Sequence, residues 1–448
     1  MKKKKTFDML NGSIWNKLIL FALPLAASSI LQQLFNAADV AVVGSFAGSG
    51  ALAAVGANGP IINLLVNSFV GLSIGANVVI ASFIGQNDEK RTSLAAHTSI
   101  LMSVIIGIVL LFVGFFFARP ILELMSTPDD IINLAEIYLK IYFLGVPFVM
   151  LYNFAAAILR SKGDTKRPLY CLIISGVINA CLNLLFVIVF KLSVAGVAIA
   201  TVIADGVSAV LIIYFLMNEE ETIRLRLNKL KIKKSELIKV IKIGVPAGLQ
   251  GVVFSVSNVC IQTAINSFGS DAVAGSATGL NFEYFTYFTI SAFVQAAVTF
   301  TSQNYGARNF KRCKKIFVYS MISSVVICGL MSAIFVVWRD FFAEIYTTDK
   351  AVLEYASIRM VHVLLFECLA SSYEIGGAAL RGLGYSMTPA VLTVLGSCVF
   401  RLIWIYTVFN KFRSFEMLMN VYPVSWVITG IAVLIAYAIV RKKLFKET

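Results

Sequence analysis

Apolar residues fall along this chain in long runs separated by short polar stretches. The stretches 101–117, 207–217 and 424–440 contain no charged residue. None shows the strict alternation of a half-buried strand, and each exceeds a strand in length. About 20 mainly apolar residues suffice to cross a bilayer as a helix, where every backbone polar group must be satisfied internally. The pattern therefore predicts twelve helical spans, at 14–45, 51–84, 92–117, 131–160, 168–190, 193–217, 235–268, 271–304, 311–337, 351–381, 387–411 and 420–441. A membrane barrel would show short alternating strands instead. Several spans exceed the bilayer requirement, which implies tilt or extension into water. Pro24, Pro60, Pro147 and Pro246 lie inside spans, where proline removes a hydrogen bond and kinks the helix.

The two groups of six repeat each other. Gly85 and Gly306, Arg91 and Arg312, Arg160 and Arg381, and Pro168 and Pro389 are each 221 positions apart, and Pro24 and Pro246 are 222 apart. The strings from Arg160 to Gly163 and from Arg381 to Gly384 each close a span with a basic last turn and a glycine stop. Six spans per half is an even number, so the repeat is parallel: two six-helix bundles related by a pseudo-two-fold axis along the membrane normal, with a cavity between them. The expected fold class is an all-α polytopic membrane protein with 12 transmembrane helices. Its expected domains are an N-terminal lobe at 1–217, a linker at 218–234 and a C-terminal lobe at 235–448.

Composition agrees with the pattern. Of 448 residues, 58% are hydrophobic and 14% charged, against about 45–50% and about 25% in soluble proteins. The loops are too short to hold a soluble domain. A net charge of +14 suggests a nucleic-acid partner only until its placement is read. With both termini inside, inner loops and tails hold 29 of the 38 Lys and Arg, outer loops six, and three lie in or near spans. That bias is the positive-inside pattern and puts both termini in the cytoplasm, facing anionic lipid. The basic start and the run from Ile14 have a signal-peptide flavour, but the run outlasts a signal core and reads as an uncleaved first span. The seven cysteines lack metal-ligand spacing and read as packing residues. The linker runs from Glu219, Glu220 and Glu221 through six basic residues between Arg224 and Lys234, as a solvated, headgroup-facing segment or a regulatory contact.

Polar groups inside the spans carry the candidate chemistry, since an ionisable group at mid-bilayer costs about 2.5–3.5 kcal/mol on insertion scales. Gln32, Asn36 and Asp39 share one face of span one at i, i+4, i+7. Asn179 and Asn183 repeat the i, i+4 spacing in span five, as do Thr201 and Asp205 in span six. Such oxygen-bearing stripes suit a hard cation such as Na⁺, or a proton on a carboxylate. They also suit interhelical hydrogen bonding that needs no ion. In the second half, Asn258 and Gln262 fall where Asn36 and the region of Asp39 lie, but no acid replaces that aspartate. Glu283, Glu367, Glu374 and Arg401 take over the polar role. Glu374 and Arg401 suggest a buried ion pair, while free carboxylates lining a cavity would attract cations. His362 reads as locally satisfied.

Several chemistries lack their motifs. The chain has no phosphate-binding G-x-x-x-x-G-K-[ST] loop, no H-E-x-x-H and no paired-aspartate prenyl-diphosphate motif, and it has only two histidines. An ATP-driven pump, a cofactor enzyme and a membrane hydrolase are disfavoured on these grounds.

With these residues in view, the chain resembles the multidrug and toxic compound extrusion (MATE) transporters. The resemblance rests on Pro24 to Asp39 in span one, RSKGDTKRP at 160–168, QNYGARNFKR at 303–312, ALRGLGYSMTP at 379–389 and YPVSW at 422–426. It covers nearly the whole chain. It implies two six-helix lobes that export small amphipathic, usually cationic compounds in exchange for Na⁺ or H⁺, with no further cofactor. By the resemblance, Asp39, Asn179 and Thr201 match coupling-ion residues and Tyr138 falls near a tyrosine that closes the site. Asn183 stands where many members have a second aspartate, and Asp205, one turn from Thr201, is our candidate for the displaced charge. Glu374 and Arg401 resemble residues of a subgroup common in Gram-positive bacteria.

The functional expectation is a secondary multidrug antiporter, monomeric, in the cytoplasmic membrane, in contact with lipids and not with nucleic acid. Ion binding at Asp39, Asn179, Asn183, Thr201 and Asp205 is expected to bend span one about Pro24. Gln32, Asn36, Gln262, Glu283, Glu367, Glu374 and Arg401 are expected at the substrate cavity. A flippase for lipid-linked saccharide precursors is the alternative; it requires a basic cavity, whereas Arg401 and Arg359 face several acids.

Overall fold

The computed structural model describes residues 7–219 and 222–445, and every regular element among them is helical. Glu220, Glu221, Lys446 and the lysines at 2–5 lie outside the described residues. The first half comprises α1 (Ile14–Phe46), α2 (Ser49–Gly85), α3 (Glu89–Leu124), α4 (Ile132–Ser161), α5 (Lys166–Leu184) and α6 (Ser193–Met217). The second begins with α7 (Lys234–Asn266), α8 (Ser270–Gly306), α9 (Phe310–Val337) and the short α10 (Arg339–Glu344). It continues with α11 (Lys350–His362), α12 (Ser371–Gly382), α13 (Met387–Thr393), α14 (Phe400–Trp404), α15 (Phe415–Met419) and α16 (Val421–Leu444).

Among the described residues, ten of the expected spans are long and apolar enough to cross a membrane. The other two differ for visible reasons. α8 is a continuous 37-residue helix but carries Asn281, Glu283, Gln295, Gln303 and Asn304 along its length. The expected span at 351–381 is two helices, α11 and α12, joined by a 3₁₀ segment at Leu364–Ala370 that contains Glu367.

The repeat extends to backbone conformation. Left-handed residues recur at an offset of 221: Gly48 with Gly269, Asn87 with Arg308, and Gly163 with Gly384. The last pair confirms the glycine stops. Gly163 N donates to Arg160 O and Asp164 N to Leu159 O, while Gly384 N donates to Arg381 O and Tyr385 N to Leu380 O. These are the bonds that close a helix through a left-handed residue. The caps of α3 and α9 also correspond, since Asp88 and Asn309 accept from the amides of Arg91 and Arg312.

Two compact units emerge. One is Ala27–Gly244; the other is Asp8–Ala26 together with the chain from Val245 onward. Helices α1 and α7 thus each divide between units within two residues of a proline, Pro24 or Pro246. Neither proline can donate to the carbonyl one turn earlier, so each helix is weakest there.

Within the first unit, α4 lies at the centre, packed against α2, α3 and α6. The start of α7 crosses α2 at van der Waals distance. A Cβ on Gly75 would lie 2.2 Å from the Val240 carbonyl, and one on Gly244 would lie 2.6 Å from the Leu72 carbonyl. The linker is pinned to this unit rather than merely solvated. Arg226 N donates to His97 Nε2 at 3.1 Å, which leaves Nδ1 to donate to Ser93 O at 2.7 Å. Thr98 Oγ1 donates to Lys231 O and accepts from Lys233 N.

Within the second unit, the residues before α1 form a strap. Arg312 donates to the carbonyls of Met9, Asn11 and Gly12, and buried Asn304 also donates to Met9 O. Phe21 packs edge-on against Phe300 with ring centroids 5.4 Å apart. α8, α9, α11, α12 and α16 make the body of this unit.

Candidate functional site

The polar stripes of α1, α5 and α6 meet within the first unit. Asn183 Nδ2 donates to Asp39 Oδ1, and also to Asn179 Oδ1 at 3.2 Å. Asn179 Nδ2 in turn reaches Thr201 Oγ1 at 3.4 Å, whose hydroxyl donates to Val197 O. A continuous chain thus links Asp39, Asn183, Asn179 and Thr201 across three helices. Gly176 makes the approach of α1 possible, because a Cβ there would fall 1.9 Å from the Phe35 ring. Immediately beyond Asn183, the helix widens into a π-helical turn at Leu185–Val189, a distortion that often accompanies functional positions.

The chain of bonds leaves one acceptor over. Asn183 is 1% exposed, and its Oδ1 has no hydrogen-bond partner among the described residues. An orphaned buried carbonyl costs about 1–3 kcal/mol, so it marks a position where a further group belongs. Asp39, half-buried, supplies negative charge beside it. Carboxylate, amide and hydroxyl oxygens together suit a hard cation or a proton. Among the described residues no group of three His, Cys, Asp or Glu gathers as a transition-metal site.

Asp205 sits one turn beyond Thr201 and packs toward α4, where its Oδ2 would lie 3.6 Å from a Cβ on Gly145. Its carboxylate makes no side-chain hydrogen bond among the described residues; it feels the charge of Asp39, and the buried Tyr138 and Tyr142 feel its own. Gln32 and Asn36 are exposed on α1 and stand outside the hydrogen-bonded chain.

The second unit gathers its ionisable groups differently. Glu283 on α8 forms a two-pronged ion pair with Arg359 of α11, Nε to Oε1 at 2.6 Å and Nη2 to Oε2 at 2.8 Å. Ser276 takes a third bond from the same guanidinium at 2.7 Å. Glu367 accepts from Thr286, close enough to feel the charges of Glu283 and Arg359. Arg381 donates to Gln250 at 2.8 Å and feels the charge of Glu374. The pair suggested between Glu374 and Arg401 does not form. Arg401 donates instead to Ser425 and Asn258 and lies 4.7 Å from the Tyr422 ring. Gln262 is exposed and bonds locally to Asn266. His362 meets Asn420 at 2.8 Å, the local satisfaction expected of it.

These two unlike halves also share one family profile. The MatE family profile matches residues 24–185 and again 246–407, most of both halves. The chain belongs to the MatE family.

Other MatE-like proteins agree over similar lengths. The probable multidrug resistance protein YoeA of Bacillus subtilis is 29% identical over 395 residues, covering 85% of this chain and 84% of that protein. The multidrug export protein MepA of Staphylococcus aureus is 22% identical, covering 80% and 79%. Among solved structures, one described as the outward-facing conformation of a multidrug resistance MATE family transporter superposes with a TM-score of 0.91 at 20% identity over the full length of both chains. That likeness speaks to the fold. It fits the all-α, multi-pass class of this MatE chain.

Sequence reasoning missed the Arg359–Glu283 pair and the strap held by Arg312. Arg359 carried a signal, since a charge inside an apolar span demands a partner. Its choice of Glu283 depends on the approach of α8 and α11, which no spacing reveals.

Proposed function

We propose that this protein is a secondary multidrug antiporter of the cytoplasmic membrane, exporting small amphipathic, mostly cationic compounds in exchange for Na⁺ or H⁺. Membership of a transporter family supports the class, and similarity to a probable multidrug resistance protein and a multidrug export protein supports multidrug efflux. One observation carries the coupling site: the chain from Asp39 through Asn183 and Asn179 to Thr201 leaves the buried Asn183 Oδ1 without a partner among the described residues. In our reading the coupling ion is cargo. Asp39 gives it charge, Asn183, Asn179 and Thr201 give it oxygens, and Asp205 is the second carboxylate in range. Tyr138 borders the site from α4.

Ion entry must favour one conformation over another to do work. Asp39 stands on the part of α1 that belongs to the first unit, beyond Pro24, so rearrangement around Asp39 is transmitted to the proline as the hinge. We place Gln32, Asn36 and Gln262 at the substrate surface, with Glu374 as the half-buried acid there. Glu283 and Glu367 are spent on Arg359 and Thr286 and act as supports. The saccharide-lipid flippase is not favoured: pyrophosphate needs several convergent cations, whereas the buried Arg359 is spent on Glu283 and Arg381 feels the charge of Glu374. A monomer with both termini in the cytoplasm suffices for this cycle.

The deciding experiment is ethidium efflux from proteoliposomes with Na⁺ and pH gradients imposed separately. Efflux driven by one gradient in wild type and lost in Asp39→Asn supports the proposal and identifies the ion. Full gradient-driven efflux in Asp39→Asn, at equal insertion, overturns the site.

A further inference from the structure

Arg401 is 2% exposed, one of the largest fully buried side chains of the described residues, and no carboxylate pairs with it there. Its Nε donates to Ser425 Oγ at 3.2 Å and its Nη1 to Asn258 Oδ1 at a long 3.5 Å. The rings of Tyr422 and Phe254 flank the guanidinium, with centroids 4.7 and 5.4 Å from Cζ. The remaining nitrogen, Nη2, meets no acceptor among the described residues. Glu374 does not compensate it, because that acid answers to Arg381. A buried cation held by two neutral oxygens and two rings is expensive in an apolar setting, and the neighbouring Arg359 shows how completely this fold satisfies a guanidinium when it needs to.

The repeat gives the position its meaning. The 221-residue offset carries Thr201 to Tyr422 and Ala180, next to Asn179, to Arg401; an offset of 222 carries Asn36 to Asn258. The Arg401 cluster therefore occupies the place in the second half that the Asp39 site occupies in the first. Its chemistry is inverted, with a guanidinium in place of carboxylates. Trp426 stands where Asp205 would be. The backbone is also specialised here: α14, which bears Arg401, is bracketed by π-helical turns at Val394–Val399 and Ile405–Phe409, the second matching the turn beyond Asn183.

We propose that Arg401, with Asn258, Ser425 and the rings of Tyr422 and Phe254, is an anion site that takes the carboxylate of an amphipathic aromatic compound. The planar fork suits a carboxylate held by two parallel bonds. Flanking aromatic faces suit a ring attached to it. The site would thus determine specificity, admitting compounds that carry a carboxylate beside their cationic group. This rests on the exporter reading above and names the residues that read such a carboxylate.

The test is equilibrium binding to the purified full-length protein in detergent, by fluorescence anisotropy. The probes are rhodamine B, which carries a free carboxylate, and its ethyl ester, which does not. Wild type is expected to bind both, and Arg401→Gln to weaken the acid at least tenfold while changing the ester less than twofold. Asn258→Asp provides a second variant that satisfies the guanidinium from within the protein. It is expected to weaken the acid to a similar degree, with thermal stability retained. Equal losses for acid and ester, or no loss for the acid in either variant, overturn the site. Replacing isethionate by chloride is expected to leave acid binding unchanged; competition by chloride would make this an inorganic-anion site and overturn the assignment to substrate. Ester binding that persists while acid binding ignores Arg401 defeats this inference alone. Failure of wild type to bind either dye counts against the exporter reading as well.

Discussion

Arg359 grips Glu283 through two hydrogen bonds of 2.6 and 2.8 Å, fork to fork, between α11 and α8. The pair is buried, and the same guanidinium holds Ser276 and packs 5.6 Å from the Tyr422 ring. Tyr422 therefore lies against two arginines, Arg359 on an acid and Arg401 on none. That contrast separates a structural charge from a recognising one.

Glu283→Gln leaves Arg359 buried without its partner, and the loss of one member of such a pair costs about 3–5 kcal/mol. A lower melting temperature in detergent is expected. Glu283→Gln combined with Arg359→Met removes both charges and is expected to recover much of the loss. A double variant as unstable as the sum of the two single variants would show that the pair has no mutual role.

Asp39→Asn keeps the shape of the side chain and removes its charge. Its amide would oppose the Asn183 amide, which now donates to Asp39. Folding is expected to persist, because the remaining bonds among Asn183, Asn179 and Thr201 lie within the unit. Gradient-driven ethidium efflux is expected to fall at least tenfold in proteoliposomes. Normal efflux at equal protein density would remove Asp39 from the coupling step.

Asp205 is argued to supply the charge that Asn183 lacks, so the two positions are expected to be exchangeable. Asp205→Asn alone should cut coupled efflux severalfold. Adding Asn183→Asp in the same protein should restore it, since Asn183 already touches both Asp39 and Asn179. Failure of the double variant to exceed Asp205→Asn, with both proteins folded, would show that Asp205 acts in some other way.

How much of this was legible beforehand follows from the range of each interaction. The helices, the glycine stops at Gly163 and Gly384 and the 221-residue offset are local features, written in apolar runs and turn residues. Asp39, Asn179, Asn183 and Thr201 emerged as stripes because i, i+4 spacing fixes a helix face. That they join one another required three helices to approach, and Gly176 beneath Phe35 is a signal that gains meaning only when the neighbour is known. The expected pairing of Glu374 with Arg401 failed for the same reason. Each acid had more than one candidate cation, and only packing chose Arg359 for Glu283 and Arg381 for Glu374. The division of α1 and α7 between units near Pro24 and Pro246 had no counterpart in the hydropathy pattern.

Acid sensitivity is expected at the linker. Burial pushes the Glu219 carboxyl upward, but hydrogen bonds from Lys162 and Arg167 outweigh it and hold the group below its ordinary value of 4.5. Lys162 Nζ lies 2.8 Å and Arg167 Nη2 2.6 Å from its two oxygens. A carboxylate whose folded value is depressed contributes stability that is full above the unfolded value and is lost as pH falls through the folded one. The contribution should therefore be complete at pH 6–8, begin to fall near 4.5 and vanish below the depressed value. Glu219→Gln should lower the melting temperature at neutral pH, in line with about 1.5–3 kcal/mol for a charge-assisted hydrogen bond. The gap between wild type and variant should close as pH drops below 4.5. A gap that stays constant down to pH 3 would mean that Glu219 stabilises the linker by shape rather than by charge.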